Sequence, residues 1–191
     1  TRVTQRKLDM KQARELTRYH ASIAEDINQK KNQLQKCIDI VIPEFNTWFK
    51  TKYSKAYMAV LKEFGSSYNL ASANLAHLKK VLKPKSSGSR VNIDASSLRS
   101  SAKKSIGENN EAVTLEIKML IENIELLGSQ LKTVDKKIEE LAVKLDSPIF
   151  SIPGIGIYTG MSNLSDIGDI NNFSSAVRVM GFAGVVEGIF G

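Results

Sequence analysis

VTLEIKMLIENIELLGSQLKTVDKKIEELAVKL, residues 113–145, carries the most regular pattern in this chain of 191 residues. Val113, Ile117, Leu120, Ile124, Leu127, Leu131, Val134, Ile138, Leu141 and Leu145 follow one another at spacings of 4 and 3 in strict alternation. This repeat puts all of them on one helical stripe, the pattern of a coiled-coil seam. Glu116, Glu122, Glu125, Lys132, Lys136, Lys137, Glu139 and Glu140 supply a charged outer surface. Such a helix cannot bury its seam alone. The partner is either the helix expected at residues 8–41, folded back antiparallel, or the same helix of a second protomer.

Toward the N-terminus, Leu16, Tyr19, Ile23, Ile27, Leu34, Ile38 and Val41 also fall on one helical face, and Pro43 ends the segment. Lys30 and Lys31 interrupt that face with a wet spot or a change of partner. Phe45, Trp48, Phe49 and Tyr53 follow, interleaved with Lys50, Lys52 and Lys55. Such aromatics could stack on unpaired bases, but a hydrophobic cap over the helix ends is the favoured reading. Short helices are expected at Ala56–Phe64, closed by Gly65, and near residues 70–82. KPKSSGSRVN, residues 83–92, reads as an exposed loop. The fold class is all-α, built of long helices forming a coiled coil with a small helical C-terminal module.

The net charge of +7 is uneven: residues 146–191 carry −3 and residues 1–145 carry +10. Two regions are therefore expected, 1–145 and 146–191, the first attracted to a polyanion. Its densest footprint runs from Lys79 to Lys104, where eight basic residues, Lys79, Lys80, Lys83, Lys85 and Arg90 among them, stand against Asp94 alone. These lysines and arginines would contact phosphates without reading bases. The lone cysteine, Cys37, excludes an intrachain disulfide, and its apolar neighbours mark it as a core thiol. No apolar run approaches the roughly 18 residues of a membrane span. No membrane partner and a cytoplasmic location are the expectations. The chain opens without Met and stops at Ile189-Phe190-Gly191, so a fragment of a longer protein is expected.

After Leu145 the style changes, and eight of the twelve glycines fall in the last 46 residues. SIPGIGIYTG, residues 151–160, reads as a tight turn at Pro153, Gly154, Ile155 and Gly156 between an apolar helix end and a helix start. Ile157, Met161 and Leu164 mark the face of the second helix. Glycines allow the turn and admit a phosphate close to the backbone, and a helix start points free N–H groups at the same spot. This is the logic of a helix-hairpin-helix motif, with Thr159 as an added donor. Asp166 and Asp169 are read as capping residues rather than metal ligands. His20 and His77 are assigned to helix packing or the surface.

The order of motifs resembles the DEDD-type insertion-sequence transposases of the one-hundred-and-ten group, also described as bridge recombinases. The carrying residues are ARELTRYHASIAEDINQKKNQLQK at 13–36, PEF at 43–45, the heptad helix, and SIPGIGIYTGMSNLSDIGDINNFSSAVRVMGFAG at 151–184. In that last stretch the family's PGIG-x-x-T, IGDI-x-x-F and aromatic-AG elements correspond to Pro153–Gly156 with Thr159, Ile167–Ile170 with Phe173, and Phe182-Ala183-Gly184. The resemblance implies a RuvC-like domain with acidic metal ligands, a coiled-coil middle and a C-terminal domain with a nucleophilic serine. A structured RNA would pair with donor and target DNA. The serine would attack a DNA phosphodiester while Mg²⁺ balances charge on the phosphate.

Carried over residue by residue, almost none of the catalytic set is expected here: the serine would come directly after Gly191 and most acidic ligands before Thr1. Lys7-Leu8-Asp9-Met10-Lys11-Gln12-Ala13 loosely echoes the last acidic motif, with Gln12 in place of its second Asp. Gly160, Asn163 and Glu187 depart from the residues usual in the family. The functional expectation is a transposase fragment that binds DNA, and a structured RNA, through the hairpin and the Lys79–Arg90 footprint. No catalytic residue, metal ligand or cofactor is assigned to this chain, and it is not expected to cut strands by itself. Protomers would assemble through the 113–145 helix. A coiled-coil adaptor and a helix-hairpin-helix accessory factor are the alternatives.

Overall fold

The computed structural model describes residues 2–82 and 94–167, and every element among them is helical. Helix α1 runs unbroken over Arg2–Val41. No Gly or Pro occurs in those forty residues, and Pro43 stops the helix. Helix α7, Glu111–Leu145, begins on Asn110, whose side-chain oxygen accepts from the Val113 N–H at 3.2 Å. Asn110 is thus an N-cap, satisfying a donor that the first helical turn leaves orphaned. The N–H of Asp146, itself at φ 42°, closes α7 on the Ala142 carbonyl at 3.1 Å.

Packing divides the chain into two compact units, residues 1–25 with 129–191, and residues 26–128. In the second unit, α1 and α7 run antiparallel: the Glu108 N–H donates to the Ile40 carbonyl at 2.9 Å, and Glu116 lies beside Cys37 further along. The core joins Leu34, Cys37, Ile38 and Val41 to Ile117, Leu120, Ile121 and Ile124. In this unit Ile117, Leu120 and Ile124 of the seam are covered by α1 of the same chain. Burial, and then the neighbouring Glu116 carboxylate, push the Cys37 thiol up to about 11.

Between the long helices lie α2 (Phe45–Trp48), α3 (Lys55–Phe64), α4 (Ser67–Ala71), α5 (Leu75–Leu82) and α6 (Ala95–Ala102). Phe45, Phe49 and Tyr57 are buried together, with ring centroids 4.7–5.4 Å apart. These aromatics form the hydrophobic cap rather than a stacking platform. The helix expected near residues 70–82 is two helices. The Asn74 side chain accepts from the Ala76 N–H at 2.8 Å, starting α5 afresh. Helix α6 was not anticipated, although Asp94 caps it through the Ser96 N–H at 3.0 Å.

The other unit joins residues 2–25 of α1 to residues 129–145 of α7, a 3₁₀ turn at Pro148–Ser151 and helix α8, Ile157–Ile167. Val134, Ile138, Leu141 and Leu145 are buried on the seam as expected. Tyr19 is not: it is 54% exposed, while Ala13 and Thr17 are buried in its stead. Small side chains on that face leave room for α8, whose Tyr158 hydroxyl reaches the Thr17 carbonyl at 3.4 Å.

Candidate functional site

The hairpin is built from the Pro148–Ser151 turn onward. The Ile155 N–H donates to the Ile152 carbonyl at 3.2 Å, closing a four-residue turn with Pro153 second and Gly154 third. Gly154 has φ +87°, the left-handed value that the third residue of a type II turn requires. The element preceding this turn is a single 3₁₀ turn, where the sequence suggested the end of a longer helix. Proline at its first position and the Ser147–Pro148 break from α7 keep it short.

Helix α8 then starts at Gly156, whose carbonyl accepts from the Gly160 N–H at 2.8 Å. The first N–H groups of α8 have no carbonyl of their own helix to reach. A Cβ placed on Gly154 or Gly156 would meet nothing within 4 Å. The backbone of Pro153, Gly154 and Gly156 therefore faces open space, and Thr159 is exposed on the first turn. Ile155 is half-buried beside Gly160. Gly160 itself is buried under Phe150, whose ring would stand 3.0 Å from an added Cβ. Glycine at this position makes room for that ring.

Of the face expected through Ile157, Met161 and Leu164, Met161 is buried and Leu164 half-buried, but Ile157 is exposed and Gly160 and Ser165 are buried, so the inward face is turned part-way from the expected one. Three residues of α1 hold helix α8. The Arg14 guanidinium donates from Nε to the Ser165 carbonyl at 3.0 Å and lies 4.0 Å from Asp166 Oδ1. Thr17 accepts from Tyr158 through its carbonyl, and the His20 ring lies 4.1 Å from the Tyr158 ring. His20 Nε2 stands 3.0 Å from Asp135 Oδ1 on α7. A cation at the last carbonyls of α8 also complements its dipole. None of these anchoring residues was singled out as part of a site, because they lie about 140 residues or more away from their α8 partners in sequence.

Lys79 and Lys80 are exposed in the last turn of α5. Lys83, Lys85 and Arg90 lie outside the described residues, as do Asp169 and the elements at residues 170–184. His77 pairs with Glu63 at 2.8 Å on the surface. Asp9 accepts from the Gln5 side chain at 3.0 Å. Among the described residues no three of His, Cys, Asp or Glu stand together as a metal site. None of the described helices is long and apolar enough to cross a membrane.

Residues 146–189 match the model of the family described as Transposase IS116/IS110/IS902. The turn, Thr159 and α8 all fall within the match, which supports a transposase of the IS110 type and a transposase or recombinase role. A search of curated proteins found no match.

Proposed function

We propose that this chain is the nucleic-acid-holding portion of an IS110-type transposase, gripping DNA and a structured RNA by their phosphate backbones. One observation carries the reading: within the family-matched segment, the Gly154 and Gly156 backbone is open to solvent at the start of a helix. A phosphate could approach to hydrogen-bond distance there, where an ordinary side chain would hold it off. Lys79 and Lys80, with Lys83, Lys85 and Arg90 beyond them in sequence, would add sequence-independent attraction. In this proposal residues 1–145 are the basic helical region and residues 146–191 the start of the transposase's C-terminal domain. Mg²⁺ belongs to the chemistry of the whole recombinase, and no described residue is assigned a chemical step.

Assembly of protomers through the 113–145 helix is part of the proposal. Val113, Leu127 and Leu131 of its seam are only half-buried, and Leu115 and Met119, four residues apart and 60% and 57% exposed, add an outer apolar strip. The test is fluorescence anisotropy of the full chain with duplex DNA and hairpin RNA across a salt series. Tight binding at low salt that weakens steeply with salt is the expected result. Absence of binding to either probe at about 50 mM salt would sink the reading and leave the structural adaptor.

A further inference from the structure

Residues 26–128 hold sixteen Lys and Arg against ten Asp and Glu, so this unit carries +6 of the chain's +7. Part of that charge is gathered by one strained residue. Tyr53 has φ 58°, a left-handed conformation that bulky side chains rarely adopt. Its ring packs 5.6 Å from Tyr57, and its hydroxyl donates to the Lys31 carbonyl of α1 at 3.2 Å. Around the reversal it makes, Lys50 and Lys52 are exposed, Lys52 beside α1, while Phe49 points into the core. The Lys52 ammonium reaches Gln35 Oε1 at 3.5 Å, and the Lys31 ammonium sits 5.2 Å from the Tyr53 ring centroid. Lys55 opens α3 two residues further on.

We propose that Lys31, Lys50, Lys52 and Lys55 form a second phosphate-binding surface for nucleic acid, separate from the hairpin and from Lys79 and Lys80. The inference rests on the reading of the chain as a nucleic-acid binder. No ion pair joins any of the four to a carboxylate among the described residues. Asp39, whose charge acts on the Tyr53 phenol, is itself exposed and accepts from Gln35 at 2.7 Å. Lysines gathered without ion-pair partners form a positive patch that attracts a polyanion. The surface binds phosphate and not bases, since the Tyr53 ring is already engaged by Tyr57 and Lys31. Nucleic acid suits the surface better than a bilayer. The residues exposed between the lysines offer only Thr51, and the large aromatics of the segment are turned inward.

The test uses the full chain, a DNA duplex of about 30 base pairs and a hairpin RNA of similar size, with affinity measured from about 50 to 200 mM KCl. The Lys31→Gln, Lys50→Gln, Lys52→Gln, Lys55→Gln variant is compared with wild type and with the Lys79→Gln, Lys80→Gln variant. Each phosphate that the protein no longer neutralises takes about 0.9 off the slope of log affinity against log salt on duplex DNA, so a fall of about 2–3 is expected on at least one probe. The probe whose slope falls identifies DNA or RNA as the occupant. Lys52→Glu alone gives a second, milder test if the fourfold variant does not fold, and it too should weaken binding. A wild-type slope in a folded fourfold variant that still binds would overturn this surface and leave the hairpin reading standing. Wild-type protein that binds neither probe would overturn both. Capture by anionic vesicles through these lysines, without nucleic-acid binding, would assign the surface to a membrane and overturn the proposal.

Discussion

Gly107→Ala is the substitution whose cost the structure states most directly. A Cβ on Gly107 would lie 2.1 Å from the Val41 carbonyl oxygen, 2.4 Å from its carbon and 3.0 Å from the Ile42 nitrogen. All three atoms are backbone, so relief requires the loop to withdraw by about 1 Å from the end of α1, beyond what a packed interior absorbs. Three hydrogen bonds hang on that approach. The Glu108 N–H donates to the Ile40 carbonyl at 2.9 Å, the Ser105 hydroxyl to Glu44 Oε2 at 2.6 Å, and the Ile106 N–H to Glu44 Oε1 at 3.1 Å. A neutral bond contributes about 1 kcal/mol net and bonds to a carboxylate about 1.5–3 each, so losing the neutral bond and weakening the other two costs about 3–5 kcal/mol. That is a large share of a typical stability of about 5–15 kcal/mol. Gly128→Ala is the internal control. Gly128 lies inside α7 with nothing within 4 Å of its Cβ position, so there the same substitution should stabilise by about 0.8–1 kcal/mol. Urea unfolding of both variants at a common m-value reads the difference. A Gly107→Ala protein within about 1 kcal/mol of wild type would refute the close approach of the loop to α1.

Gly156→Val should leave the fold nearly intact, costing no more than about 1 kcal/mol at the helix start, yet weaken binding to duplex DNA by blocking phosphate approach. Equal affinity for wild type and variant in the anisotropy assay would mean that the hairpin is only a turn. Cys37, buried and with its thiol held up to about 11, should resist a disulfide reagent at pH 8 in the native protein and react at once in denaturant. Fast stoichiometric labelling of the folded chain would contradict that burial. Burial pushes the Glu44 carboxyl up, but the Ser105 hydroxyl and the Ile106 N–H outweigh it and hold the group below the usual carboxylate range. Because the folded value is lowered, its stabilisation is present above the unfolded value and lost as the pH falls through the folded one. Wild type should therefore lose stability in acid more steeply than Glu44→Gln, and parallel acid profiles would exclude the contribution.

Periodicity located the two long helices because their seams are made of Ile, Leu and Val, which report burial directly. It misplaced the inward face of α1 around Tyr19 because Ala13 and Thr17 bury little apolar area and are chosen for the approach of α8. The same reasoning was only partly right at α8, where Met161 is inside as expected but so are Gly160 and Ser165, while Ile157 is outside. Helix α6 was hidden by a run of serines, although Asp94, Leu98 and Ala102 fall at the spacing of a capped helix. At Lys31 the polar break in the α1 face became intelligible only once Tyr53, 22 residues away, was seen to donate to its carbonyl. The glycine turn was legible from four residues, since proline followed by glycine dictates its local geometry. Its anchoring by Arg14, Thr17 and His20 was not, because an interaction spanning about 140 residues leaves no mark on local spacing.

Hairpin and lysines should also hold nucleic acid in physically different ways, and salt separates them. Residues 146–167 contain no Lys or Arg, only Asp146 and Asp166. Asp166 lies near the far end of α8 beside Arg14, and an eleven-residue helix places it roughly 14 Å from the helix start. A phosphate at Gly156 would thus be met by N–H groups and the helix dipole and by no cation of residues 146–167, an interaction that adds little to counterion release. The lysines of residues 26–128 carry the larger part of the salt slope in this picture. Gly156→Val should then shift log affinity by a similar amount at every salt concentration, whereas the lysine variants should change the slope. A hairpin variant that lowers the slope as much as the lysine variant does would show that the turn acts only by orienting the lysines, and that its open backbone does not itself bind phosphate.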